Sequence, residues 1–173
     1  MQTNPYAPPQ AVVADPEPTS HGLKHRGVLV MIALTVLTLG FYYLVWWFRR
    51  RPGLNRLNTP RTLAMWPLLL FAVNFLMQFS LGFVEGAAPE LEDVIGDDGK
   101  LFVTLLQFAV GILMIVQAFK IKSMIEDHAE AARSESMFGG SVQLSGLMTF
   151  IFSIYYLQWA INRYVVDSES APV

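Results

Sequence analysis

Four stretches of the chain, residues 27–48, 63–84, 101–119 and 142–161, contain no Asp, Glu, Lys, Arg or His. They make up about half of the 173 residues, although the whole chain carries 12 basic and 14 acidic side chains. A soluble fold of this length has too little interior to hide four such runs. The expected class is therefore an all-α integral membrane protein. An apolar content of 53% and a mean hydropathy of +0.40 agree with that reading. Helices are expected because every backbone donor and acceptor in lipid must be satisfied within its own segment. Strands of a barrel would alternate, and these runs do not.

The first two runs hold 22 residues each, the third 19 and the fourth 20. As helices of about 1.5 Å rise per residue they match a hydrocarbon core of about 30 Å. Pro67 follows Trp66 where the second helix opens, a position at which a missing backbone donor is tolerated. The third helix is expected to continue past the membrane from Lys120 to about Ser136, stopped by Gly139-Gly140. Ile121, Ile125, His128 and Ala132 share one face of this extension, with Glu126, Glu130 and Arg133 on another. It reads as a solvated cytoplasmic extension that turns the chain back, or as a docking face. Residues 1–26, with five prolines in the first 18 positions, form a disordered polar tail, and 165–173 a second one. Residues 27–164 make one four-helix membrane domain. No cleavable leader is expected, since the first run ends in Trp46-Trp47-Phe48-Arg49 rather than in small residues.

Charge sets the topology. The 49–62 connection carries Arg49, Arg50, Arg51, Arg56 and Arg61 and no acid, whereas 85–100 carries six acids and Lys100. The first is expected in the cytoplasm and the second outside, with both termini outside if all four runs span. Eight basic residues then lie inside and four outside. Lys24 and Arg26, directly before the first run, fit an external position poorly. The alternative makes the first and fourth runs re-entrant hairpins, bent near Gly40 and Ser153, and leaves only Lys100 outside. Those bends would need protein cover.

The first and fourth runs echo each other. Phe41-Tyr42-Tyr43-Leu44-Val45-Trp46 aligns without gaps to Ile154-Tyr155-Tyr156-Leu157-Gln158-Trp159, after which Arg50 meets Arg163. Two independent aromatic belts at the membrane surface would also give this pattern. The stretch Thr38-Leu39-Gly40-Phe41-Tyr42-Tyr43-Leu44-Val45-Trp46-Trp47-Phe48-Arg49, followed by Leu54-Asn55, resembles the hallmark of small bacterial membrane proteins grouped as domain of unknown function 4234. Tyr156-Leu157-Gln158 with Asn162 is similar to the closing pattern of that family. Phe41 and Val45 depart from its commoner residues, and the acidic 85–100 loop matches no part of it. The resemblance implies a multi-pass protein of the bacterial inner membrane and no particular activity.

Few chemistries have the residues they need. Zero cysteines exclude thiolate metal sites, disulfides and cysteine nucleophiles. The three histidines, His21, His25 and His128, lie outside the apolar runs, which hold no aspartate either, so intramembrane serine or aspartyl protease chemistry is not expected. His21 and His25 have helical spacing but no third ligand beside them, and Gly96-Asp97-Asp98-Gly99-Lys100 lacks the spacing of a phosphate loop or EF-hand. No catalytic residue, cofactor or metal is expected, and no nucleic-acid binding. Without a charge in any run, a proton-coupled pump or voltage sensor is not expected. Two groups remain. Tyr42, Tyr43, Trp46 and Trp47 beside Arg49, Arg50 and Arg51 are expected to anchor at the interface and meet anionic lipid. Asn74 and Gln78 on the second helix, Thr104 and Gln107 on the third, and Ser145, Thr149 and Ser153 on the fourth are expected to join helices by hydrogen bonds. The expected role is a non-enzymatic interaction or accessory subunit, contacting the lipid bilayer and a membrane-protein partner or further copies of itself. The alternative is a subunit of a small oligomeric channel or transporter.

Overall fold

The first apolar run does not form one helix. In a computed structural model describing residues 21–87, 96–134 and 141–166, it folds as α1 (Val28–Leu37) and α2 (Phe41–Leu54), joined by Thr38-Leu39-Gly40. Thr38 works for both helices: its Oγ1 donates to the Leu34 carbonyl at the end of α1 (2.8 Å) and accepts from the Tyr42 N–H at the start of α2 (2.9 Å). Leu39 and Gly40 then take left-handed conformations, φ +50° and +90°. The Gly40 N–H closes α1 by donating to the Thr35 carbonyl at 2.8 Å, a bond typical of glycine-terminated helices. The chain reverses here. The Arg50 guanidinium, near the end of α2, donates to the Lys24 carbonyl just before α1 at 2.8 Å. Both ends of the run therefore lie together, and its bend lies at the far tip.

The next two helices are the long ones. α3 (Trp66–Ala87) carries Pro67 in its first turn as expected. α4 (Gly96–Ser134) is a single helix of 39 residues that runs from Asp97 and Asp98 in its first turn through the apolar run and the extension. Negative charge at a helix N-terminus is favourable, so residues 96–100 are helix rather than loop. Among the described residues two helices, α3 and α4, are long and apolar enough to cross a membrane, not the expected four. Their most apolar stretches are only 17% and 22% buried within the chain. The core helix of a soluble domain would be largely buried, so these exposed faces point to membrane association.

The fourth run is also interrupted. α5 (Gly146–Ile161) breaks at Ser153, whose φ of 41° and ψ of −117° are not helical, and it runs into a π-helical turn, Asn162–Val166. The Tyr156 hydroxyl accepts from the Ser145 N–H at 3.0 Å. In a straight helix those residues would be about 16 Å apart, so the chain doubles back here too. Ser153 and Gly40 are the residues that immediately precede the two echoing sequence blocks, and both hold positive φ.

The buried core lies toward the end where α2, the second limb of α5 and the far part of α4 converge, with Trp47, Leu54, Ile121, Ile125, Leu157 and Ile161 almost wholly enclosed. The extension of α4 is thus packed, not solvated. Asp127 bonds Thr59 (2.9 Å) and Arg61 (3.0 Å), and Glu126 accepts from the Leu144 N–H (2.7 Å). It holds the 55–63 and 141–145 connections against itself. Residues 21–26, assigned to the polar tail from sequence, are also folded: His21 and Leu23 are buried, and Leu23 sits against Gly53. Residues 1–20, 88–95, 135–140 and 167–173, with most of the tails, much of the acidic loop and Gly139-Gly140, lie outside the described residues.

Candidate functional site

Where the ends of the two broken runs meet, α2 and α5 share a polar cluster. Gln158 is fully buried. Its Oε1 accepts from Trp46 Nε1 (2.9 Å) and from Arg50 Nε (3.0 Å), filling both lone pairs. Its Nε2 donates to Asn162 Oδ1 at 2.7 Å. The Asn162 amide then pairs in both directions with the backbone of Arg26: Nδ2 donates to its carbonyl (2.7 Å) and Oδ1 accepts from its N–H (3.2 Å). Asn55 does the same for the 55–63 connection, accepting from the Leu63 N–H (2.7 Å) and donating to its carbonyl (3.1 Å). Arg51 Nε also donates to that carbonyl (2.8 Å).

This geometry corrects the expected aromatic–arginine anchor. Trp46 and Trp47 are 3% and 1% exposed and Arg50 8%, so they are packed into the protein rather than set out on its surface. Burying a guanidinium or an indole N–H costs several kcal/mol unless it is hydrogen-bonded, and Gln158 satisfies one of each. Tyr42 and Tyr43 are half-buried, and Arg49 is exposed. Arg49 to Leu54, read as a connection from sequence, continue α2. Burial lowers the Arg50 guanidinium from its ordinary value to about 10, helped by the positive charges of Arg26 and Arg49 and opposed by Tyr42.

Around it opens a basic pocket of about 230 Å³, lined by Lys24, Arg26, Arg49 and Arg50 with Tyr42 and Trp46 on its apolar side. The second concavity, about 610 Å³, lies between the two bends and the middle of α3 and α4. Tyr43 and Ser153 meet across it, hydroxyl to hydroxyl at 3.0 Å, and tie the two bends together. Gln78 Nε2 donates to Gln107 Oε1 at 3.5 Å, joining α3 to α4 as expected. Asn74 is buried beside them, and its Oδ1 has no hydrogen-bond partner among the described residues. The other expected helix-joining residues serve their own segments. Thr104 donates to the Lys100 carbonyl, Thr149 donates to the Ser145 carbonyl, and the Ser145 hydroxyl caps α5 by accepting from the Met148 N–H.

The residues that matter most here, Gln158, Asn162 and Arg26, received no site role from sequence. The signals existed: two amides four residues apart at the end of an apolar run, and two cations misplaced by a four-span topology. Thr38, Gly40, Trp46, Asn55, Gln158 and Asn162, all within the stretches quoted for the family resemblance, are the residues that build the first bend and the hydrogen-bonded clasps.

No curated protein and no solved structure matches the chain. The family described as Domain of unknown function (DUF4234) matches residues 26–127, from the backbone held by Asn162 to the acid that holds the 55–63 connection, and the chain belongs to that family.

Proposed function

We propose that this is a protein of the bacterial inner membrane that crosses the bilayer twice, through α3 and α4, and carries two re-entrant hairpins entering from the cytoplasmic side. Its role is that of a non-enzymatic interaction or accessory subunit. One observation carries the reading: the Asn162–Arg26 backbone pair and the Arg50 bond to Lys24 bring the ends of both broken runs to a single place. α1, at 10 residues, reaches about 15 Å, half of a hydrocarbon core of about 30 Å. One side of its tip is covered by α3, with Gly40 against the Phe75 ring and Phe41 edge-on to Phe75 and Phe79, while Leu37 and Leu39 face outward. With both hairpins on the cytoplasmic side, Lys24 and Arg26 join the arginines of 49–62 inside, and Lys100 in the first turns of α4 is the one basic residue outside. An interaction role fits a molecule whose polar intramembrane side chains mostly bond the backbone of their own segments or one another, and whose hairpin ends, connections and helix extension form one folded face.

The absence of native cysteine allows a clean test. Single cysteines at Ser20 and Asn58 should both resist a membrane-impermeant maleimide in intact cells and both react after lysis. Labelling at Ser20 alone would restore a spanning first segment and overturn the hairpin. For the role itself, a specific membrane protein should stay bound through mild solubilisation and cross-linking, and the purified protein should give no ion flux in liposomes.

A second reading, a subunit of an oligomeric channel or transporter, is favoured by the 610 Å³ cavity and the unpartnered Asn74 oxygen within it. Flux from purified protein that is lost in Asn74→Leu would select that reading.

A further inference from the structure

Four cations line the 230 Å³ pocket, and none of them has a carboxylate within ion-pair distance among the described residues. Elsewhere on the same face the charges do find partners, as Arg61 does with Asp127 and Lys122 with Glu126. Like charges held together without a counter-ion repel, and burial of one of them adds a desolvation cost. Arg50 shows both effects in its lowered pKa of about 10, yet stays charged at neutral pH. The donors are also arranged. Gln158 and the Lys24 carbonyl fix the Arg50 fork, and Asn162 fixes the Arg26 backbone, while the exposed side chains of Lys24, Arg26 and Arg49 are free to close over a ligand. Guanidinium groups grouped in this way match the oxygens of a phosphate.

We infer that this pocket binds the phosphate of an anionic phospholipid headgroup, held by Arg26, Arg49, Arg50 and Lys24. A lipid is favoured over free phosphate by position. The pocket opens where the apolar run of α2 ends, Tyr42 and Trp46 form its apolar wall, and the neighbouring Val45 is exposed toward the surface along which an acyl chain would lie. The inference rests on the membrane placement proposed above, since it needs this end of the hairpin at headgroup level.

The test uses full-length protein in nanodiscs of phosphatidylcholine with a minor fraction of spin-labelled phosphatidylglycerol, reading the immobilised lipid fraction. Arg26→Gln combined with Arg49→Gln alters two exposed cations and leaves the Gln158 contacts intact. Phosphatidylglycerol should be immobilised in preference to labelled phosphatidylcholine, and the double variant should lower its apparent affinity at least about tenfold. Arg56→Gln, which removes a cation outside the pocket, should not. Millimolar inorganic phosphate should fail to displace the lipid; displacement would assign the site to the free anion and overturn the lipid. Equal immobilisation of both lipids, or no change in the double variant, would overturn the site. Thermal unfolding of each variant confirms folding. If lipid selectivity fails while Ser20 and Asn58 cysteines stay protected in intact cells, the site alone is lost and the hairpin topology stands.

Discussion

Gln158 makes three hydrogen bonds from a fully buried position. It is the acceptor for an indole and a guanidinium and the donor that orients Asn162. Replacing it by leucine keeps the volume but leaves buried Trp46 Nε1 and Arg50 Nε without an acceptor, at about 1–3 kcal/mol each. Gln158→Leu should therefore lower stability by about 2–5 kcal/mol, measured by denaturant unfolding in detergent. Asn162→Leu should cost less, about 1–3 kcal/mol, since it strands one buried donor, Gln158 Nε2, and the Arg26 backbone it frees lies near solvent. Gly53 gives a steric test on the same scale. A Cβ there would lie 2.5 Å from Leu23 Cδ2 and 2.9 Å from the His21 carbonyl oxygen. A side chain can turn away but a backbone oxygen cannot. Gly53→Ala should cost about 1–3 kcal/mol and release residues 21–26, seen as faster proteolytic cleavage at Lys24 or Arg26.

At the scale of elements, the decisive features are two breaks in runs that look continuous. Run length and the absence of charge were legible because lipid imposes both on any helix within it. The break at Thr38-Leu39-Gly40 was less so. Glycine is common within membrane helices, and what turns this one into a bend is a left-handed leucine before it, a threonine bonded to both helices, and the Phe75 ring beneath. Only the last of these depends on a residue distant in sequence, yet a local reading does not rank a left-handed leucine. Ser153 was harder still, having neither glycine nor proline at the break; its alignment with Gly40 was the one pointer. A Cβ at Gly40 would meet Phe75 no closer than 3.5 Å, so Gly40→Ala tests conformation rather than space. It should cost about 1–2 kcal/mol, the price of a left-handed L-residue, in the same unfolding assay. Going further, Thr38→Leu with Gly40→Ala and a leucine at Ser153 removes the cap, the glycine and the Tyr43 contact together. The first run should then straighten and span, and a cysteine at Ser20 should become reactive from outside the cell.

For the whole molecule, α4 is the main fastening: it meets α3 along the apolar runs, α5 and the π-helical turn in the core, and both connections through Glu126 and Asp127, while α1 is held mainly by α2 and α5, and α2 by α3. The extension was legible as helix because no proline or glycine interrupts 120–134. Its burial was not, because the strands of chain that cover it come from residues 57–61 and 142–144, far away in sequence. Asp127→Ala should be mild, about 0.5–1 kcal/mol, since the Arg61 pair is partly exposed. In the proposed topology the chain begins and ends in the cytoplasm. A fluorescent reporter that matures only there should report from either terminus, and silence at the C-terminus would return the fourth run to a full crossing.

In the topology proposed above, hairpins that stop halfway across the bilayer make the molecule a wedge. Near the face where their ends meet, six helical limbs displace lipid: α1, α2, α3, α4 and the two limbs of α5. Past the two bends, α3 and α4 alone remain among the described helices. One monolayer therefore makes room for about three times the cross-section that the other does, and a sheet of lipid relieves that imbalance by bending so that the crowded monolayer becomes convex. The inner monolayer of a bacterial cell is concave, most sharply at the poles, so such a wedge would collect along the flatter cylinder of the cell. In small liposomes it would insert with its broad face outward.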